Sequence, residues 1–582
     1  MKISKILCNI YDINHTAAFY AYFSAICHSC IDNLLDYPAT TKISADTFWE
    51  TTEDAEKGVN AVYNAMRNAF GLFYRLDCYP NADLVYFQNA NSQSITSDYW
   101  NKCYASVNRA NNAIMQLRRM QGEAVTDKEL NLLRRYEGEV RFIRALHYAL
   151  MIDLYGDIQY LDHVPTQEEA YSIARTPIAQ VKDLIFADYD YAISVLPVSY
   201  ESSEDQGRAT KIAAYAFKGK LELFWASWKK NGRPEVDNFQ QSESEAKEYY
   251  EKAIGNFKEV MKPAYNLQLF KDGAPGEYVN PNYLQLFTLE NEKCSEVIFS
   301  LQYGGPNIGQ GEEFVKIFGN RSVLNGWANM QPTNYLVNLY QSTKTGDYVD
   351  PIILNKNQNL ANGSANPKTY EGRDYRMRST IVWNGQKMRT ITPDGMTIGD
   401  SLAFMFGNKN GYLDYNDSRT GYMFRKFVRQ YAGYSRSNGP QDFYLMRLPD
   451  VWLMYCEAMN ELHGPSDELY NLIDKIRGRG KLPALDRNKF KTKDTFFDAI
   501  KQERAIEFVA EGQRFFDLRR WRLAETVWDY PNGRELRSTL NDFIQDQYKN
   551  ATDRTFPRYY IYNIPEDERV LNPNLTQNKP WL

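Results

Sequence analysis

The chain has 582 residues, of which 43% are hydrophobic and 24% charged, with a formal net charge of −5 at pH 7. This composition is that of a globular protein with a large core, and the length predicts several domains or one large composite domain. The negative charge argues against a general nucleic-acid binder, because neutralising phosphates requires a basic surface.

The N-terminal segment predicts a bacterial lipoprotein signal. Lys2 and Lys5 precede an apolar run over residues 17–26, which is shorter than the roughly 20 residues of a membrane span but matches the ~7–15 residues of a signal-peptide core. Ser29 is the small residue that cleavage needs, so we expect a signal peptide at residues 1–29 and a lipid on Cys30. A redox or metal role for the Cys-x-x-Cys pair at this point lacks support from a second cysteine pair. Four widely spaced cysteines farther on predict buried free thiols, with a single disulfide bridge among them as the alternative: Cys78, Cys103, Cys294 and Cys456.

Helical periodicity dominates the next part of the chain. Thr51, followed by acidic residues, is typical of a helix start, and apolar residues at helical spacing continue to Phe70. Residues 74–98 interrupt this pattern and predict a long loop. Further helices are predicted at 100–117, 136–155, 177–196, 209–228, 246–261 and 283–287. Their recurrence in pairs is typical of a solenoid-like array of tetratricopeptide type.

The texture of the sequence changes between residues 296 and 442. Gly, Asn, Pro, Ser and Asp become frequent, the helical period disappears, and short β-prone runs occur at 297–299 and 381–383. We therefore predict a loop-rich insertion on a helical scaffold. Helices resume at 448–462, 469–477 and 496–511.

The stretch from residue 503 to 521 combines carboxylates, arginines and aromatic rings. On a helix its three glutamates share one side, as acid/base or iron-binding carboxylates would. We predict instead a structural helix and turn, in which Glu511 pairs with Arg514 and Asp517 with Arg520 at i, i+3. The chain has five histidines and shows no zinc-protease motif, phosphate-binding glycine loop or serine elbow. We predict no catalytic residue, no metal and no cofactor.

The same stretch resembles the C-terminal signature of the SusD/RagB family, the surface lipoproteins of nutrient-uptake systems in Bacteroidetes. Other matches follow in family order: Leu35-Asp36-Tyr37-Pro38, Phe48-Trp49, Asn108-Arg109-Ala110-Asn111, Glu139-Val140-Arg141-Phe142, Tyr155-Gly156-Asp157, Gly207-Arg208-Ala209-Thr210 and Asn572-Pro573-Asn574-Leu575. Together they span nearly the whole mature chain. The ending Lys579-Pro580-Trp581 departs from the family's usual Pro-Gly and aromatic residue.

The resemblance implies a mostly α fold, SusD-like, with four tetratricopeptide-like helix pairs and a loop-rich insertion at about 296–442. It implies an N-terminal helical region at 30–235 and a C-terminal region at 236–582 within one composite domain. It also implies a non-enzymatic lipoprotein, lipid-anchored and surface-exposed on the outer membrane. Such a protein binds oligosaccharides, or in some members peptides, and acts with a SusC-like TonB-dependent transporter in nutrient uptake.

Two other functions remain open from the residues alone. A secreted glycoside hydrolase could use two of the many carboxylates, held ~5–5.5 Å apart in a retaining enzyme or ~6.5–9.5 Å apart in an inverting one. A pure interaction scaffold could use its helix pairs to bind protein alone. Aromatic-rich polar loops favour ligand binding over that scaffold.

Two loop regions are predicted to hold the ligand through aromatic stacking and polar hydrogen bonds. The chain has 43 tyrosines, whose rings combine a flat apolar face with a hydroxyl and suit sugars, although most of them are expected in the core and at its rim. The candidate residues are Tyr79, Tyr86, Phe87, Gln88, Asn89, Tyr303, Asn307 and Trp327. Tyr86 and Trp327 are the principal candidates, and Trp383, Tyr412 and Tyr415 are the alternative group.

Overall fold

The computed structural model describes residues 48–77, 82–87, 92–304, 311–320, 325–353, 359–392, 394–403, 418, 420–525 and 558–582. Helices dominate these residues. They are α1 Thr52–Phe70, α2 Ser92–Glu123, α3 Asp127–Tyr155, α4 Gln167–Ala170, α5 Ile178–Val195, α6 Lys211–Asn231, α7 Glu243–Val260, α8 Asn282–Gln285, α9 Phe314–Phe318, α10 Asn334–Leu339, α11 Tyr375–Thr380, α12 Leu448–His463, α13 Asp467–Arg479, α14 Lys493–Glu507, α15 Arg514–Arg520 and α16 Glu566–Leu571.

The strands are short and pair two by two. They are β1 Val85–Phe87, β2 Gly276–Glu277, β3 Asn280–Pro281, β4 Val297–Leu301, β5 Met330–Pro332, β6 Ile381–Val382, β7 Lys387–Ile391, β8 Ile398–Ala403, β9 Met423–Phe424 and β10 Phe443–Arg447. The antiparallel pairs are β1 with β5, β2 with β3, β4 with β10, β6 with β9, and β7 with β8. The mostly α fold is therefore confirmed.

The N-terminal helices form where the apolar period predicts them, with two corrections. Thr51 caps α1 through a capping box with Asp54, which satisfies otherwise unpaired backbone N–H groups. Helix α2 begins at Ser92, so the prediction of a loop to residue 98 is wrong over its last residues. The polar residues at this start lack the apolar period that identifies a helix in sequence. Helix α5 matches its predicted bounds to within one residue, whereas α3 ends where predicted but begins nine residues earlier, at Asp127.

Successive long helices pack on one another and bury one core. Helix α2 packs between α1 and α3, α5 lies on α3, and the pair α6–α7 leads on to α12. Large side chains such as Trp100 and Trp225 are almost fully buried at these contacts. The predicted grouping into four tetratricopeptide-like pairs and the predicted region boundaries at 235 and 236 stay predictions.

The insertion between residues 296 and 442 carries strands and very short helices, as its composition predicts. Both β-prone runs are confirmed, in β4 and β6. The strand β4 pairs with β10 outside the insertion, and α6 packs on both strands. The insertion is thereby fixed to the helical scaffold.

The stretch from 503 to 521 is a helix, a turn and a second helix. Helix α14 ends at Glu507, four residues before the predicted end at 511, and Ala510 and Gly512 in the turn that follows adopt positive φ angles of 61° and 79°. Glu511 therefore lies outside the helix, and the predicted Glu511–Arg514 pair is wrong. The Asp517–Arg520 pair is confirmed, at 2.8 Å.

Candidate functional site

The carboxylates of this C-terminal stretch lie in a buried charge network. Arg447 contacts Glu296 at 2.7 Å, Glu507 at 3.0 Å and Glu511 at 2.7 Å, and Arg479 contacts Glu296 and Glu507 at 2.7 Å each. Burial alone would raise the pKa of Glu296, but Arg479 and Arg447 bring it below its usual value. Carboxylates sealed from solvent and neutralised by arginines favour a structural role over general acid or base chemistry.

A strand pair links the first loop region predicted to hold the ligand to the chain that directly follows the second. In the β1–β5 ladder Tyr86 lies opposite Gln331 and Phe87 opposite Met330. Next to it, the Thr333 N–H donates to the Leu84 carbonyl at 3.0 Å. The chain that leaves the second loop region therefore runs next to the first loop region.

The structure does not describe the position of several candidate residues. Tyr79, Gln88, Asn89 and Asn307 lie outside the described residues, and so does Cys30. Phe87 contributes its backbone to β1. The remaining candidates are Tyr86, Tyr303 and Trp327.

Tyr86 and Tyr303 are placed to hold loops rather than to meet a ligand from solvent. Tyr86 is 4% exposed within the strand pair. The ring of Tyr303 contacts Phe314 edge-on at 6.0 Å, and its backbone N–H donates to Asp442 Oδ1 at 2.9 Å. Burial raises the pKa of the Tyr303 hydroxyl above its usual range.

Trp327 differs from both, because its side chain is 49% exposed. Its backbone N–H donates to the carbonyl of Lys316, in the middle of α9, at 2.8 Å. Lys316 Nζ lies 4.5 Å and Arg436 Cζ 5.5 Å from the indole ring centroid. The ring is therefore held at a fixed position on the surface and bordered by two cations.

A second aromatic group lies in a segment that contacts the Trp327 loop, and it was not among the predicted residues. Arg436 Nη1 donates to the Asn325 carbonyl at 2.6 Å, so the segment around it packs on the Trp327 loop. In that segment the rings of Tyr431 and Tyr434 lie 6.1 Å apart. Their interleaving with Gly and Ser has the same texture as the predicted loops, but nothing local in the sequence joins the two segments.

The alternative group contributes less. Trp383 is 3% exposed and its ring is stacked on Tyr370 at 4.8 Å, so it anchors its own loop. Tyr412 and Tyr415 lie outside the described residues.

A cavity of about 450 Å³ offers a second location for a ligand. It is lined by aromatic rings, amides and charged groups, among them Tyr335, Tyr348, Gln502 and Arg514. The Tyr348 hydroxyl donates to Gln502 Oε1 at 2.7 Å. Arg514 also binds Asp83 at 2.7 Å, which places the cavity next to the chain entering β1.

Within the described ranges, no group of three or more His, Cys, Asp or Glu residues could hold a metal ion. Cys103 and Cys456 are buried free thiols there, whereas the free thiol of Cys294 is partly exposed, so its predicted full burial is wrong. Cys78 lies outside the described residues. Burial raises the pKa of all three described thiols. In the same ranges no helix has the length and apolar character to cross a membrane.

Comparison with known proteins gives matches along most of the chain. The model of the SusD family matches residues 295–581, and a second model, described as starch-binding and associating with the outer membrane, matches residues 39–223. A SusD-like protein of Formosa agariphila is 25% identical over 609 residues, covering 96% of this chain and 97% of its own length. The starch-binding protein SusD of Bacteroides thetaiotaomicron is 22% identical over 494 residues, covering 79% of this chain and 75% of its own.

Solved structures share the fold. A SusD-like protein from Bacteroides fragilis has a TM-score of 0.70 at 23% identity, over 93% of this chain and 100% of that one. A laminarin-binding SusD-like protein has a TM-score of 0.60 at 20% identity, over 90% and 99% of the two chains.

Proposed function

The chain belongs to the SusD family, and we propose that it is a surface glycan-binding protein that captures oligosaccharides for uptake. Two similar proteins are named for polysaccharide ligands, one for starch and one for laminarin. The similarity extends over most of the chain in both, which supports a glycan as the class of ligand.

The observation that carries the proposal is the half-exposed Trp327 ring, which lies three residues before β5, the strand that pairs with β1 of the first loop region. A sugar ring presents C–H groups to an aromatic face and hydroxyls to nearby polar groups, and such rings contribute strongly to binding when they are fixed in place. The hydrogen bond from the Trp327 backbone N–H to the Lys316 carbonyl fixes the backbone that carries this ring. The cavity lined by Tyr335 and Tyr348 is the second location for the same ligand class.

A lipid on Cys30 would anchor the protein to the outer membrane, where it would deliver its ligand to a SusC-like TonB-dependent transporter. Several acyl chains on one cysteine hold a protein stably, whereas a single chain binds weakly. The Cys30→Ala variant is expected in the soluble fraction, with no lipid detected by mass spectrometry. A variant that stays in the membrane fraction, together with an unlipidated wild type, would contradict this anchor.

We propose further that the protein has no catalytic turnover. The carboxylates of its most distinctive stretch, Glu503, Glu507 and Glu511, are buried and contacted by cationic side chains. Incubation with glycans is expected to release no new reducing ends. Cleavage that co-purifies with the protein through several columns would identify a hydrolase instead.

The proposal is tested by calorimetry of the purified chain against a panel of oligosaccharides. The panel includes α- and β-linked glucans, other neutral oligosaccharides, acidic oligosaccharides, and peptides of similar size as the control class. Saturable binding of at least one glycan, without binding of peptides, is expected. Binding of peptides alone would move the protein to the peptide-binding members of its family, and no binding at all would refute ligand capture.

A further inference from the structure

Two arginines of the insertion lie together without a carboxylate partner among the described residues. Arg378 belongs to α11, and Arg425 follows β9 directly. The β6–β9 ladder pairs Ile381 with Phe424, and the Arg425 N–H donates to the Thr380 carbonyl at 2.8 Å. The backbone therefore places both arginines at the same end of this ladder.

The donor groups of these arginines are largely unused by the part of the chain that the structure describes. Arg425 donates one long hydrogen bond, from Nη1 to the Arg378 carbonyl at 3.5 Å. Arg378 Nε is buried without a hydrogen-bond partner in those residues. Neighbouring cations differ, since Arg376 binds Asp374 at 2.7 Å and Lys426 binds Glu511 at 2.6 Å.

Aromatic rings hold the Arg378 guanidinium in position. Its Cζ lies 4.6 Å from the centroid of the Tyr278 ring and 5.8 Å from that of Trp383. Cation–π stacking engages the face of a guanidinium and leaves the N–H groups at its edge free to bind a ligand. The two rings therefore hold the N–H donors of the Arg378 guanidinium in a fixed orientation.

Two half-buried guanidiniums in one place repel each other and lose hydration. Burial, followed by the charge of Arg378, lowers the pKa of Arg425 to about 10. A bound oxyanion would offset both the repulsion and the lost hydration, because guanidinium forks match the geometry of carboxylate, sulfate and phosphate groups.

We propose that Arg378 and Arg425, with Tyr278 beneath Arg378, form a binding site for an oxyanion: a free inorganic anion, or a carboxylate or sulfate group carried by a sugar. The site stands on the geometry of these residues and holds whether or not Trp327 binds a glycan.

The first test titrates sodium sulfate into the purified chain, with sodium chloride at equal ionic strength as the reference. Sulfate is expected to bind by calorimetry and to raise the unfolding temperature beyond the effect of chloride. Arg378→Gln and Arg425→Gln are each expected to weaken sulfate binding about tenfold or more, because a charge-assisted hydrogen bond contributes on that scale. Arg425→Lys, which keeps the charge but not the fork, should fall between wild type and Arg425→Gln. The control is Arg389→Gln, an exposed position on β7, which should bind sulfate as the wild type does.

Unfolding in the absence of sulfate separates a binding role from a structural one. The Arg425→Gln variant should then be at least as stable as the wild type, because one of two neighbouring like charges is gone. An arginine that only supports the fold would give a clearly less stable variant, and that result would overturn the proposal.

A second arm identifies the source of the anion by comparing a uronate-bearing or sulfated oligosaccharide with its neutral counterpart. A preference of about tenfold or more for the acidic sugar, lost in Arg378→Gln, assigns the site to an acidic glycan. Arginine-dependent binding of inorganic sulfate without that preference assigns it to a free anion. The proposal is overturned if neither probe binds the wild type, or if both arginine variants bind them unchanged. Loss of neutral glycan binding alone would bear on the glycan proposal and not on this site.

Discussion

Replacing Arg447 by Met removes the central cation of the buried network while keeping much of its volume. The guanidinium contacts Glu296, Glu507 and Glu511 at 2.7–3.0 Å, and its side chain is 1% exposed. Removing one partner of a buried ion pair costs about 3–5 kcal/mol, because the other charge stays buried. Arg479 and Lys426 still neutralise part of the charge, so we expect a loss of about 4 kcal/mol rather than a sum over three pairs.

The loss is measured by urea unfolding followed by circular dichroism, with linear extrapolation to water. The matched control is Lys489→Met, which removes an ion pair with Asp347 of 2.5 Å whose side chains are 52% and 56% exposed. Exposed pairs contribute about 0–1 kcal/mol. If Arg447→Met and Lys489→Met cost the same, within about 1 kcal/mol, the network does not stabilise the fold and the reasoning is refuted.

Two other substitutions test separate features of the fold. Gly512→Ala should lower the unfolding free energy by about 2 kcal/mol or more, since Gly512 has φ +79° and an added Cβ would lie 2.7 Å from the Phe73 carbonyl oxygen; an unchanged urea midpoint would contradict this. Burial, with help from Asp442, raises the pKa of Glu292 from 4.5 to about 8. A raised carboxyl pKa gives stability that is complete below the unfolded value and is lost as the pH rises through the folded value. As the pH rises from 5 to 8.5, the unfolding free energy of the wild type should therefore fall by on the order of 1 kcal/mol more than that of Glu292→Gln, after allowance for the partial exposure of Glu292. Parallel pH profiles of the two proteins would contradict this.

Features that depend on local periodicity were predictable from the sequence. The apolar spacing after Thr51 identifies α1, and the i, i+3 spacing of Asp517 and Arg520 gives an ion pair that the structure confirms. Both depend on residues a few positions apart, whose geometry a helix determines. The β-prone run at 297–299 likewise predicts β4, because branched and aromatic residues favour a pleated surface.

Features that depend on contacts between distant parts of the chain were not predictable from the sequence. The partner of Glu511 is Arg447 rather than Arg514, because Glu511 lies in the turn between α14 and α15, flanked by positive φ angles at Ala510 and Gly512. The approach of Arg436 to Trp327 results from the packing of two loops that lie far apart in the chain. Polar loop residues show no helical or strand periodicity from which such a contact could be predicted, so Tyr434 was not among the predicted site residues.

The role of Trp327 is the part of the account that a single experiment tests most directly. The measurement is calorimetry of Trp327→Ala with the oligosaccharide that the wild type binds best. We expect a loss of about 2 kcal/mol or more, roughly 30-fold in affinity, with an unchanged unfolding temperature. Tyr171→Ala, which removes another ring that is 43% exposed, should bind as the wild type does. Wild-type affinity in Trp327→Ala would contradict the account, and a loss in Tyr348→Ala alone would place the glycan in the cavity of about 450 Å³.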